Sequence, residues 1–166
     1  MQDYHISSPW QTIILSTRGN IKQKFSKEKT TKDNLMAMSW HMPVSFNPFL
    51  YAISISKERY SYNLIKESKV FAVNFIPFRM AKEAVFCGSR RGEFIDKFKE
   101  GDIKKEECER IDCPRLKDAA AVLECQVIAE LDAGDHQLIV GKVMNAIKKK
   151  DEKRCLQLEK DFTTTK

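Results

Sequence analysis

Residues 121–143 limit the possible folds more than any other stretch of the chain. Leu123, Cys125, Val127, Ala129 and Leu131 recur at every second position, the period of a strand that turns one face to a core. Asp132-Ala133-Gly134-Asp135 then reads as a hairpin turn, with residues 136–143 as the return strand. The same alternation appears at 49–56, with Tyr51, Ile53 and Ile55 on one face and Ala52, Ser54 and Ser56 on the other. Residues 12–17 (TIILST) and 70–76 read as strands, the second stopped by Pro77, and 34–41 as a further one. Gly19-Asn20 opens a polar stretch expected to be an exposed hairpin or long loop. Residues 59–68 and 79–87 read as short helices, the second capped by Gly88. Phe94, Ile95 and Phe98 fall at helical spacing in 93–98, and charge-rich 99–117 reads mostly as loop.

The pattern amounts to about six strands and two or three short helices. Helices follow strands too irregularly for a doubly wound parallel sheet. Neither a G-x-G-x-x-G turn nor a Walker loop is present. A mainly β fold is expected, a mostly antiparallel barrel with peripheral helices. The 166 residues suffice for one domain with a sizeable core. We place that domain at 1–150 and read 151–166 as a basic C-terminal tail.

Net charge is +6, which raises nucleic acid as a partner. The surplus is local. Residues 18–32 hold six basic side chains against one acidic, and 142–166 hold eight against four. The rest of the chain is slightly acidic. A single-strand binder interleaves aromatic rings with its basic groove, yet these two segments carry only Phe25 and Phe162. They read as solvated faces, so no nucleic-acid partner is expected. The N-terminal residues lack the basic and apolar regions of a signal peptide, and no apolar run is long enough to cross a bilayer. Five cysteines, an odd number, fit free thiols in a reducing cytoplasm. Cys108 and Cys113 lack nearby histidines, so no metal site is expected; a disulfide between them stays open.

Three stretches could carry chemistry. Residues 34–48 (NLMAMSWHMPVSFNP) combine Trp40, His41, three methionines and small polar residues. They read either as a core strand ending in a turn or as an apolar wall for a flat heteroaromatic ligand. Residues 54–61 (SISKERYS) place hydroxyls, Lys57 and Arg59 before a helix N-terminus. They read either as a capped helix with solvated charges or as a phosphate site. Gly134-Asp135-His136 reads either as an ordinary turn or as the place of a functional imidazole.

At these stretches the chain resembles the flavin reductase-like family, FMN-binding split barrels that include flavoredoxins. The resemblance runs over residues 8–143. It rests on the 34–48 segment followed by LYAISISKERYSYNLI (50–65), FAVNF (71–75), CGSRRGEFIDKF (87–98) and LECQVIAELDAGDHQLIVGKV (123–143), in that order. It implies a six-stranded antiparallel split β-barrel that forms a homodimer, with one FMN per subunit near the interface. It also implies that Ser39, Trp40, His41, Met42 and Ser45 line the flavin ring, largely through backbone groups. Ser54, Ser56, Lys57, Arg59 and Ser61 match the ribityl and phosphate segment, and Ser89 the loop bordering the flavin. His136 matches a histidine near the nicotinamide site. The chain departs from the family with one proline at Asn47-Pro48-Phe49, with Ser8-Pro9-Trp10 before the first strand, and with a longer basic stretch after Gly19.

The resemblance implies an NAD(P)H-dependent flavin reductase, with NADH or NADPH as donor and electrons passed on to an acceptor. A flavoredoxin-type FMN electron carrier without a nicotinamide site is the competing reading. Its basic segments would suit an acidic redox protein partner. A flavin-free binding protein is the third and is disfavoured by the acidic body.

Overall fold

The computed structural model describes residues 4–22, 29–158 and 161–165. Its strands are β1 (Trp10–Gln11), β2 (Ile13–Lys22), β3 (Lys29–Met38), β4 (His41–Ser45), β5 (Leu50–Ser56), β6 (Val70–Phe75), β7 (Lys105–Glu107), β8 (Pro114–Leu116), β9 (Ala121–Ala133), β10 (His136–Lys148), β11 (Leu156–Leu158) and β12 (Asp161–Thr163). The helices are α1 (Tyr60–Ser68), α2 (Ala81–Ser89) and α3 (Lys97–Glu100). Seven strands form the main sheet in the order β3-β2-β6-β9-β10-β5-β4, and every neighbouring pair is antiparallel. The antiparallel, mainly β architecture follows the alternation in the sequence, with seven main strands in place of six.

The two faces of the sheet bury different sets of side chains. Ile13 and Leu15 of β2 join Tyr51, Ile53 and Ile55 of β5, Phe71 and Val73 of β6, and Ile139 of β10 in one cluster. Strands far apart in the hydrogen-bonded order meet there, so the sheet curls around this interior. Ile65 of α1 fills it. Gly141 makes room for Phe71: a Cβ there would sit 2.7 Å from the ring. Ile14, Leu35, Ala72 and Val122 point the other way and pack beneath α2, α3 and β8 through Ala84, Cys87, Phe98 and Leu116.

Several local expectations change. Of the two alternatives for the polar stretch opened by Gly19-Asn20, the hairpin forms, with β2 running on through it and pairing with β3 from Ile13↔Met38 to Lys22↔Lys29. Main-chain hydrogen bonds extend a ribbon whose polar sequence gives no apolar alternation. The rest of the basic stretch, 23–28, lies outside the described residues. Arg18 is not a solvated charge, because its guanidinium binds Asp33, Glu107 and Asp112. The expected strand at 34–41 breaks at Ser39-Trp40 into β3 and β4. Gly88 lies inside α2, whose C-cap is Arg90. Only Lys97–Glu100 of the third helix forms, started by Asp96, whose carboxylate accepts from the Phe98 and Lys99 amides. Phe94 stays exposed.

The 99–117 region contains the β7–β8 hairpin, pinned by buried Asn74, whose Oδ1 accepts from the Leu116 amide at 2.8 Å. Ala129 and Leu131 do not reach the core of this chain; Leu131 is 63% exposed at the projecting hairpin end. Within the stretch expected to form a tail, the described residues 151–158 and 161–165 carry β11 and β12. Cys155 is fully buried, its carbonyl accepts from Thr12, and β11 pairs with β1.

Candidate functional site

A cavity of about 460 Å³ opens where β3, the end of β5, the start of α1 and the segment after α2 converge. The β5–α1 junction supplies Ser56, Glu58, Arg59, Tyr60 and Ser61. The end of α2 supplies Cys87 and Gly88, the segment after it Arg90, Arg91 and Gly92, and Asn34 and Met36 of β3 line the cavity with Lys97. Arg59 is the N-cap of α1 and places no side-chain cap on the helix. The N-terminal end of that helix adds positive potential.

Cations dominate this cavity. Among the described residues, the Arg59 and Arg90 guanidinium groups make no ion pair, and Arg91 only approaches Glu93 at 3.6 Å. Lys97 is 3% exposed, and its ammonium donates to the carbonyls of Leu35 at 2.7 Å and Cys87 at 2.6 Å. Burial lowers its pKa and the nearby Arg59 charge lowers it further, while Cys87 acts the other way. Burial pushes the Cys87 thiol up to about 12 despite Lys97, so this cysteine is a packed neutral group. Two cations that raise each other's free energy in a partly enclosed space favour an anion between them.

Asn34 gives a second indication. Its Nδ2 donates to the Ser61 hydroxyl at 2.9 Å. Its Oδ1 is buried and has no partner. Such an acceptor is costly unless a ligand donor satisfies it. Gly92 lies against the same group: a Cβ there would fall 1.7 Å from Oδ1. Only glycine lets this segment close over Asn34.

Of the expected site residues, Ser56, Arg59 and Ser61 line the cavity. Lys57 does not; it pairs with Asp132 at the end of the β9–β10 hairpin. Ser89 bonds the Phe86 carbonyl at 3.2 Å, while its neighbours Gly88 and Arg90 face the cavity. Ser54 donates its amide to the Trp40 carbonyl at 2.9 Å, tying β5 to the β3–β4 break. The Ser39 hydroxyl faces Gln157 and Thr12, at 2.7 and 3.2 Å. The His41 ring is engaged on both nitrogens, with Tyr51 Oη at 2.7 Å and the Gln11 carbonyl at 2.9 Å. Burial lowers its pKa, with the Gln11 bond opposing. Ser39 and His41 therefore offer a ligand their backbone rather than their side chains. Met42 is 53% exposed on the edge strand β4, whose last residue is Ser45.

His136 stands opposite Ser56 in the β10–β5 register. Its ring lies 5.0 Å from Trp40, and its Nδ1 is 2.7 Å from Asp135. That hydrogen bond lowers the Asp135 pKa. Trp10 packs edge-on against Trp40 at 6.5 Å. An aromatic corner thus sits at the open end of β5, one register pair from the cationic cavity. The residues that sequence reasoning missed are Asn34, Arg90, Arg91, Gly92 and Lys97. The string GSRRG at 88–92 carried a signal, since two arginines between glycines beside a helix end suit a close anion. Among the described residues, no cluster suits a metal ion and no helix is long and apolar enough to cross a membrane.

The flavin reductase like domain matches residues 14–165. A protein of Archaeoglobus fulgidus without a described activity is 32% identical over 114 residues, 69% of this chain and 64% of that one. The chain thus spans just under two thirds of that relative. A ferric-chelate reductase (NAD(P)H) of the same organism is 30% identical over 106 residues, 63% of this chain and 61% of the other. An FMN-binding protein from Thermus thermophilus superposes with a TM-score of 0.83 at 22% identity, covering 99% of this chain and 90% of that one. A flavoredoxin from Methanosarcina acetivorans gives 0.82 at 24%, covering 100% and 90%. Sequence match over nearly the whole chain and a shared architecture agree: the chain belongs to the flavin reductase-like family.

Proposed function

We propose that this protein binds FMN and acts as an NAD(P)H-dependent flavin reductase that passes electrons on to an acceptor. The observation that carries this reading is the cavity itself, lined by Arg59 and Arg90, which make no ion pair among the described residues, and by Asn34, whose Oδ1 is buried without a partner. These groups fit the cofactor. Arg59, Arg90 and the α1 amides would hold the phosphate. Ser56, Ser61 and Asn34 Oδ1 would bond the sugar-alcohol hydroxyls. Trp40, Met42 and the backbone of residues 39–42 and 45 would border the ring. Bound flavin supplies the hydride and electron chemistry.

His136, held by Asp135 beside Trp40, would orient the nicotinamide. The names of relatives, which include a ferric-chelate reductase (NAD(P)H), support a reductase. A second copy of the chain would cover Met42, Val44, Phe46 and Phe49, an exposed apolar group on and beside edge strand β4. Sedimentation is expected to show a homodimer; a monomer at micromolar concentration would remove that assignment. The test of function is anaerobic mixing of the flavin-loaded protein with NADH and with NADPH. Bleaching of the flavin band is expected with at least one. Bleaching only by a reduced ferredoxin-like donor would establish the flavoredoxin-type carrier instead.

A further inference from the structure

We propose that Cys108 and Cys113 form a thiol–disulfide couple, a redox-modification site at the end of the β7–β8 hairpin that a hydroperoxide closes. The last ladder pair of that hairpin is Glu107↔Pro114, so the cysteines occupy the next opposed positions. The Cys108 amide donates to the Cys113 carbonyl at 3.0 Å. Both are free thiols. The loop between them is already ordered. The Glu109 and Arg110 amides donate to the fully buried Glu124 carboxylate at 3.1 and 2.8 Å, and Arg115 donates to it at 2.9 Å. Asp112 is held by Arg18. Bringing the sulfurs together therefore costs little further chain entropy.

The two thiols are not equivalent. Cys113 is wholly buried, and its thiol donates to the Ser16 carbonyl at 3.3 Å. Burial raises its pKa well above the ordinary thiol value. Cys108 is partly exposed, so it meets the oxidant first. Cys108 releases its proton to solvent, and its sulfur attacks the peroxide O–O bond. A sulfenic acid forms and hydroxide leaves, taking up a proton as water. The Cys113 sulfur then attacks the Cys108 sulfur. The S–S bond forms, the S–O bond breaks, and the hydroxyl leaves as water with the Cys113 proton. Two thiols are oxidised and one peroxide is reduced to water. Reduced flavin meeting dioxygen would supply such a peroxide; that source rests on the proposed function, whereas the thiol geometry does not.

The experiment adds hydrogen peroxide to the purified full-length protein, alkylates the remaining thiols and maps the peptides. Cleavage after Arg110 separates the two cysteines, so a bridge appears as a linked pair. The expected result is loss of two of the five thiols, a Cys108–Cys113 linked pair, and reversal by dithiothreitol. In Cys113→Ser, a sulfenic acid trapped on Cys108 by dimedone is expected, while Cys125→Ser keeps the bridge. A bridge from Cys108 to Cys125, oxygen adducts without a bridge, or five intact thiols in the wild-type protein would overturn the proposal. None of these readouts requires flavin or nicotinamide, so the flavin reading stands or falls separately.

Discussion

Replacing Arg59 by alanine separates a binding role from a structural one by sign. In the free protein the Arg59 guanidinium lines the cavity without an ion pair among the described residues and acts unfavourably on the buried Lys97 ammonium. Its removal breaks no ion pair among those residues and relieves a repulsion. Unfolding free energy should therefore stay within about 0.5 kcal/mol of wild type, as for ordinary surface substitutions. Phosphate binding should respond in the opposite sense. Hydrogen bonds to charged groups contribute about 1.5–3 kcal/mol. Arg59 is exposed, so solvent screening favours the lower half of that range, about 1.5–2 kcal/mol. The FMN Kd should rise roughly 10–30-fold. Riboflavin, which lacks the phosphate, should bind both proteins alike. Flavin fluorescence quenching gives both constants, and urea titration gives stability. An unchanged FMN Kd, or an equal loss for riboflavin, would refute the phosphate assignment.

Other substitutions probe different parts of the account. Gly92→Ala would drive a methyl into Asn34, 1.7 Å from Oδ1. Displacing a buried hydrogen-bonded group should cost about 1–3 kcal/mol in urea unfolding and weaken FMN binding; wild-type values for both would show that the segment yields freely. His136→Ala should slow anaerobic flavin reduction by NAD(P)H in stopped flow while leaving FMN bound, and a wild-type rate would make this histidine structural. Asp33 gives a pH dependence. Burial opposes its ionisation, but hydrogen bonds from Arg18 and Lys105 outweigh burial and lower its pKa from 3.8. Below 3.8 the unfolded carboxylate takes up a proton before the folded one does. Asp33 therefore stabilises above that pH, and its contribution is lost as pH falls toward the folded value. Acid titrations of unfolding free energy should show a shallower loss in Asp33→Asn; an equal slope would contradict this.

The sequence was most informative where burial and period coincide. Tyr51, Ile53 and Ile55 alternate because one face of β5 fills the curled interior. Leu64 and Ile65 mark the buried side of α1. Legibility fails where main-chain pairing proceeds without an apolar face, as in the β7–β8 hairpin. It fails again at Ala129 and Leu131, whose alternation continues past the core of a single chain. Within the site, Ser56, Arg59 and Ser61 were legible because local sequence places them at a strand end before a helix N-terminus. Asn34 and Lys97 were not, because their roles come from long-range packing. The Asn34 amide meets Ser61 across the cavity, and the Lys97 ammonium meets carbonyls of β3 and α2. Lys57 shows the converse: its position in the motif suits a phosphate, but Asp132 captures it from the neighbouring hairpin.

On the proposed function, the cavity of Arg59, Arg90 and Asn34 holds the phosphate end of a flavin mononucleotide. Titrating the flavin-stripped protein with FMN by isothermal calorimetry tests this directly. One FMN per chain is expected, bound at least tenfold more tightly than riboflavin, with the difference shrinking as salt is raised. Absence of FMN binding, or equal affinity for FMN and riboflavin, would contradict it.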